Sequence, residues 1–171
     1  MIDDLVREWE TTSVDFKQEL RVNTASEKAE LVKDIIALAN IQASGRRWLV
    51  IGFEDKTRTY HGPPDPAVKP DRLEQLLAAY ITPAVDLCYD VWDYRAGKVG
   101  MLEILRDPRK LPYSVKQSVG AAAGQRGAKR VEAGQIFVRH SSHTAQASEK
   151  ELLVLAEERE WALKAAHQLP A

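Results

Sequence analysis

Val14-Asp15-Phe16-Lys17 alternates apolar and polar residues, the period of a half-buried strand. From Ser26 to Asn40 the period changes. Ala29, Val32, Ile35, Ile36 and Ala39 recur at helical spacing. Ser26 is the expected N-cap, and Glu27 and Glu30 fall in the first turn, where the helix dipole favours acids. Trp48-Leu49-Val50-Ile51-Gly52-Phe53 is apolar on both faces and predicts a central strand. A second helix opens at Pro70, turns Leu73, Leu76, Leu77, Tyr80 and Ile81 inward, and stops before Pro83. Val85–Tyr94 and Lys98–Leu105 flank Arg95-Ala96-Gly97, a hairpin signal.

The pattern then loosens. Residues 112–116 contain a short strand candidate, and Gly120–Gly127 reads as a loop. Gln135–His140 is a strand followed by a polar corner, Ser141-Ser142-His143-Thr144. Ser148 and Glu151 form a capping box for a last helix over 149–166. Residues 5–10 read as a helical lead-in. The order predicts one α+β domain over 1–171, with a core at 10–147 and a mixed, mostly antiparallel sheet packed by helices.

A hydrophobic fraction of 44% supplies a core, and no apolar run is long enough to cross a membrane. No basic-then-apolar leader opens the chain, and the one cysteine, Cys88, excludes an internal disulfide. A cytoplasmic location without membrane contact is the expectation. Net charge is −1, but its distribution is uneven. Residues 1–55 hold seven Lys/Arg and eleven acids, whereas 95–143 hold ten Lys/Arg and three acids. Such a basic stretch can attract phosphates, or it can be a solvated surface with counter-charges nearby in space.

Candidate chemistry follows from the acids and this basic stretch. Glu10 and Asp15 flank the first strand, and Glu54 with Asp55 closes the central one. If those strands are neighbours, the acids meet at one sheet end, where hard carboxylate oxygens could hold Mg²⁺ or Mn²⁺ against a phosphodiester. The same acids could equally be a solvated rim. Lys17, on the face of Asp15, would contact phosphate or pair with Asp15. Arg46 and Arg47 would contact phosphate or lie in a solvated turn. Further phosphate contacts are expected from Arg109, Lys110, Lys116, Arg126, Lys129, Arg130 and Arg139, and from Ser141, Ser142 and Thr144. The Gly120–Gly127 stretch lacks the phosphate-loop pattern, so no nucleotide cofactor is expected. Trp48, Trp92 and Trp161 are expected to pack. Leu152, Leu153, Leu155 and Ala156 on the last helix could form a homodimer seam or simply cover the sheet.

Three segments together resemble the Schlafen AlbA_2 family. The family's E-S-x-x-x-E-F-K opening stands here as Glu10 to Lys17. Its A-N-T-x-G-G-x-x-x-I-G-V-D-D signature corresponds to Ala39 to Asp55, and its late G-x-x-x-x-R-x-G-S-S-T-x-x-A motif to Gly134 to Ala147. Asp15 replaces the usual Glu, and Glu54 the usual first Asp. The resemblance implies one of two functions. One is a metal-dependent endoribonuclease acting on structured RNA such as tRNA, with Glu10, Asp15 and Glu54 (or Asp55) on Mg²⁺ or Mn²⁺. The other is a non-catalytic DNA- or RNA-binding module, alone or at the head of a larger regulator or defence protein. Cleavage is weighted slightly above pure binding.

Overall fold

The computed structural model describes residues 2, 13–42, 45–54, 57–95, 97–122, 127–141 and 143–168. Glu10, Asp55, Arg126 and Ser142, and the lead-in over 5–10, lie outside the described residues. The elements are β1 (Val14–Lys17), α1 (Ala25–Ala39), β2 (Arg47–Ile51), α2 (Pro70–Tyr80), β3 (Ile81–Thr82), β4 (Asp86–Tyr94), β5 (Gly97–Leu105), a 3-10 turn at Pro108–Lys110, β6 (Ser114–Val115), β7 (Val119–Gly120), β8 (Arg130–Val131), β9 (Phe137–His140), β10 (His143–Gln146) and α3 (Glu149–His167). The fold is α+β, with a mixed, mostly antiparallel sheet, as the pattern predicts.

The main sheet has the order β1-β2-β5-β4. Only β1 and β2 run parallel, with Asp15 opposite Leu49 and Lys17 opposite Ile51. The other two pairings, β2 with β5 and β5 with β4, are antiparallel. Strand β2 is hydrogen-bonded on both edges and buried throughout, which is why its sequence is apolar without alternation. Leu49 and Ile51 pack in the cluster that includes α1. Trp48 and Val50 point to the other face, with Val14, Phe16, Phe53, Tyr94, Val99 and Met101.

Helix α1 begins two residues earlier than Ser26 would place it. Thr24 is the N-cap: its side chain accepts from the Glu27 amide, and Glu27 bonds back to the Thr24 amide. Thr24 and Glu27 have the T-x-x-E spacing of a capping box, which fixes the start. Val32, Ile35, Ile36 and Leu38 are fully buried, each burial stabilising the fold by about 1.5–3 kcal/mol. At the other end Asn40 Nδ2 donates to the carbonyls of Tyr113 (2.8 Å) and Phe137 (3.0 Å), and its Oδ1 accepts from the Tyr113 amide (2.8 Å). One buried side chain thus ties the helix end to two later segments.

The polar corner after β9 is a hairpin turn. His143 to Gln146 forms β10, paired with His140 to Phe137. Ser141 has φ +51, the left-handed conformation a tight turn demands. The strand reading stopped at His140 because His143-Thr144-Ala145-Gln146 carries no apolar alternation.

Helix α3 has the predicted Ser148–Glu151 capping box. It docks through buried Leu155 and through Arg106, whose Nη1 and Nη2 reach Glu158 at 2.5 and 2.7 Å. Trp161 does not pack: it is 78% exposed. The leucines of the expected dimer seam also part company, since Leu155 faces inward while Leu153 is exposed. The structure lends that seam no support.

Candidate nucleic-acid interface

Strand β1 carries Asp15 and Lys17 on the face that meets α1, because residues two apart on a strand share a side. Lys17 Nζ lies 3.2 Å from Asp15 Oδ2 and 2.7 Å from Asp34 Oδ2. Asp34 comes from the buried face of α1. Arg139, from β9, reaches Asp15 Oδ1 at 2.9 Å and donates to the Val14 and Ser141 carbonyls. Asp15 is 5% exposed, and the Arg139 side chain is equally withdrawn from water. Two cations and two carboxylates therefore neutralise one another inside the fold, joining β1, α1 and the β9–β10 hairpin.

The electrostatics follow from that burial. Loss of water works against the Lys17 ammonium, but the Asp34 and Asp15 carboxylates together outweigh it and raise its pKa. Burial likewise pushes the Asp34 carboxyl pKa up, against the pull of Lys17. Sequence reasoning missed Asp34. The available signal was an acid inside the apolar stripe Leu31, Ile35, Leu38, a position that needs a partner.

Glu54 follows the end of β2, just after Phe53, whose amide donates to the Lys17 carbonyl. It is exposed in the turn after β2, where its Oε2 accepts from Thr57 Oγ1 at 2.6 Å. Asp15 is opposite Leu49, five residues earlier on the same path, and Gly52 bends the chain between them at φ +113. Among the described residues no three acids, imidazoles or thiols are grouped to hold a metal ion. Of the expected metal ligands that are described, Asp15 is paired with Lys17 and Arg139, and Glu54 with Thr57 of its own turn.

The expected phosphate contacts divide into two groups. Arg47 and Arg139 are structural. Arg47 is buried and donates to the carbonyls of Gly45 and Ile41, both at 3.0 Å, so the solvated-turn alternative also fails for it. The others reach the surface. Arg46 is exposed, 3.4 Å from Glu103 and over the Trp48 ring. Arg109 pairs with Asp107, Lys110 with Asp86, Lys129 with Glu30 and Arg130 with Glu132. Lys116 donates to the Ala78 carbonyl. The local excess of positive charge is thus partly matched by acids brought in from other segments, Asp86 and Glu30. Exposed pairs of this kind are worth about 0–1 kcal/mol, so a phosphate can replace the carboxylate at small cost.

The hairpin corner has more uncommitted chemistry. His140, Ser141 and His143 are exposed and Thr144 is half-buried. The two imidazoles stack with centroids 5.4 Å apart, and His140 Nε2 lies 3.1 Å from Glu151 Oε1. Hydroxyls, imidazoles and a left-handed turn are held on a rigid base by Arg139.

Residues 10–148 match the profile of the Schlafen, AlbA_2 family. No curated protein matches the chain. A solved structure that resembles it is the N-terminal domain of a RecG-related protein from Nitrosomonas europaea, with 18% identity over 86% of this chain and 92% of that one and a TM-score of 0.49.

Proposed function

Because the chain belongs to the Schlafen AlbA_2 family, we propose that it is a nucleic-acid-binding domain that grips the phosphate backbone at the β9–β10 corner. The observation that carries this reading is the corner itself. Arg139 is spent internally, on Asp15 and the Ser141 carbonyl. Beside it His140, Ser141 and His143 are exposed on a pinned turn, with Thr144 half-buried. Exposed Arg46, Arg109, Lys116, Lys129 and Arg130, with half-buried Lys110, then supply the salt-dependent, sequence-independent part of binding. DNA and RNA share this phosphate chemistry.

The endoribonuclease reading is supported by the family's acidic motif. It asks Glu10, Asp15 and Glu54 to share Mg²⁺ or Mn²⁺. The pairing of Asp15 with Arg139 and Lys17 favours a structural role for that acid, so binding without cleavage is the better-supported function. Fluorescence anisotropy with labelled single-stranded and duplex oligonucleotides tests it. Ser141→Asp suits the left-handed turn and puts a carboxylate at the phosphate position. It should weaken both complexes about tenfold or more. Unchanged affinity in both would overturn the corner as the phosphate site. Incubation with structured RNA and Mn²⁺ should leave the RNA intact. Cleavage that Glu54→Ala abolishes would restore the nuclease.

A further inference from the structure

Beside the corner lies a groove of about 780 Å³ between the end of α1, the β9–β10 hairpin and α3. Pockets that take small organic groups run about 300–1,000 Å³ with apolar walls and a few polar groups. The walls here are Ile41, Val138, Val154 and Leu155, all aliphatic. Two of its polar groups, buried Asn40 and exposed Ser148, are already committed. Asn40 spends its amide on Tyr113 and Phe137, and Ser148 serves the capping box. At the mouth are the exposed amides of Gln146 and of Gln42, which donates to Glu158 at 3.3 Å, the Glu151 carboxylate beside His140, and the ammonium of Lys150, which makes no ion pair among the described residues.

We propose that this groove takes an unpaired base of a single-stranded or looped nucleic acid whose phosphate is held at the corner. This rests on the binding reading above. Three observations select that occupant. The groove is continuous with the corner, since His140 and Arg139 belong to both. Its walls are aliphatic and its volume is of the size that takes a small organic ring, while its mouth offers amide groups for a base edge. Lys150 beside His140 supplies positive charge for the adjoining phosphate. Bases stacked inside a duplex cannot enter such a recess, whereas splayed bases of single strands can. The domain therefore favours single-stranded over duplex substrates.

Two measurements on the whole chain test this. In the first, the methyl resonances of Ile41, Val138, Val154 and Leu155 are followed as a short single-stranded oligonucleotide, or its blunt duplex, is added. Shifts with the single strand and none with the duplex are expected. No shift in either titration, where anisotropy shows binding, would overturn the groove and leave the corner standing. In the second, Val154→Trp fills the recess. It should cost about tenfold in single-strand affinity and leave duplex affinity within about twofold. Equal loss in both, or loss in neither, overturns the groove. If the wild-type chain binds neither oligonucleotide, the binding function itself fails, an outcome distinct from the others.

Discussion

Arg139 Nη2 lies 2.9 Å from Asp15 Oδ1, with both side chains almost fully withdrawn from solvent. The contact joins β9 to β1 across 124 residues of sequence, and it fixes the corner that follows Arg139. Removing one partner leaves a buried charge unpaired. Arg139→Ala should therefore cost about 3–5 kcal/mol in urea unfolding. Replacing both, as Asp15→Leu with Arg139→Met, should recover most of that loss, because Lys17 and Asp34 still neutralise each other. A double variant as unstable as the single one would show that the pair is not the source of the effect.

Asn40 predicts a second stability effect. Its amide satisfies three backbone groups on Tyr113 and Phe137. Asn40→Ala should cost about 1–3 kcal/mol for each buried group left unpaired. Amide hydrogen exchange at Tyr113 should accelerate along with it. Unchanged protection there would mean that water substitutes for the side chain.

Acid should loosen α3 before it unfolds the core. The hydrogen bonds and charge of Arg106 hold the Glu158 carboxyl below the usual glutamate range, and the Ser148 hydroxyl and amide do the same for Glu151. Both groups bind a proton less readily folded than unfolded. Their stabilisation is present above the ordinary value of 4.5 and is lost as pH falls through it toward the depressed folded value. Part of this is screened by solvent, so the loss should be modest. Exchange protection of the Leu152–Ala156 amides, corrected for intrinsic rate, should fall in that window. Glu158→Gln should lower protection at neutral pH and flatten its dependence on pH. Protection that stays constant to pH values below that window would contradict the docking role.

Much of this fold was legible in the chain. Strong periods gave β1, α1, β2, α2 and the β4–β5 hairpin to within a few residues, because each buries a face wide enough to leave a pattern. Strands β3, β7 and β8 have two residues each, too few to show a period. Strand β10 is polar and half-exposed, so only its turn was visible. The motifs containing Asp15, Lys17 and Arg139 come together in the fold, but spacing could not tell separate charges from an ion-paired cluster. That difference depends on Asp34, brought in by α1, and on Arg139, brought in by a strand near the other end of the chain. Similarly, the basic run at 95–143 loses part of its excess to Glu30, Asp86 and Glu158, which are distant in sequence.

The salt dependence of single-strand binding tests the central claim most directly. Each phosphate released from its counterions contributes about −0.7 to the slope of log K against log salt. The wild-type chain should show a slope of several contacts. Ser141→Asp should bind more weakly with a slope shallower by about one contact, while its urea midpoint stays that of the wild type. A variant with undiminished affinity and slope, or a wild-type chain whose binding ignores salt, would contradict the phosphate-gripping corner.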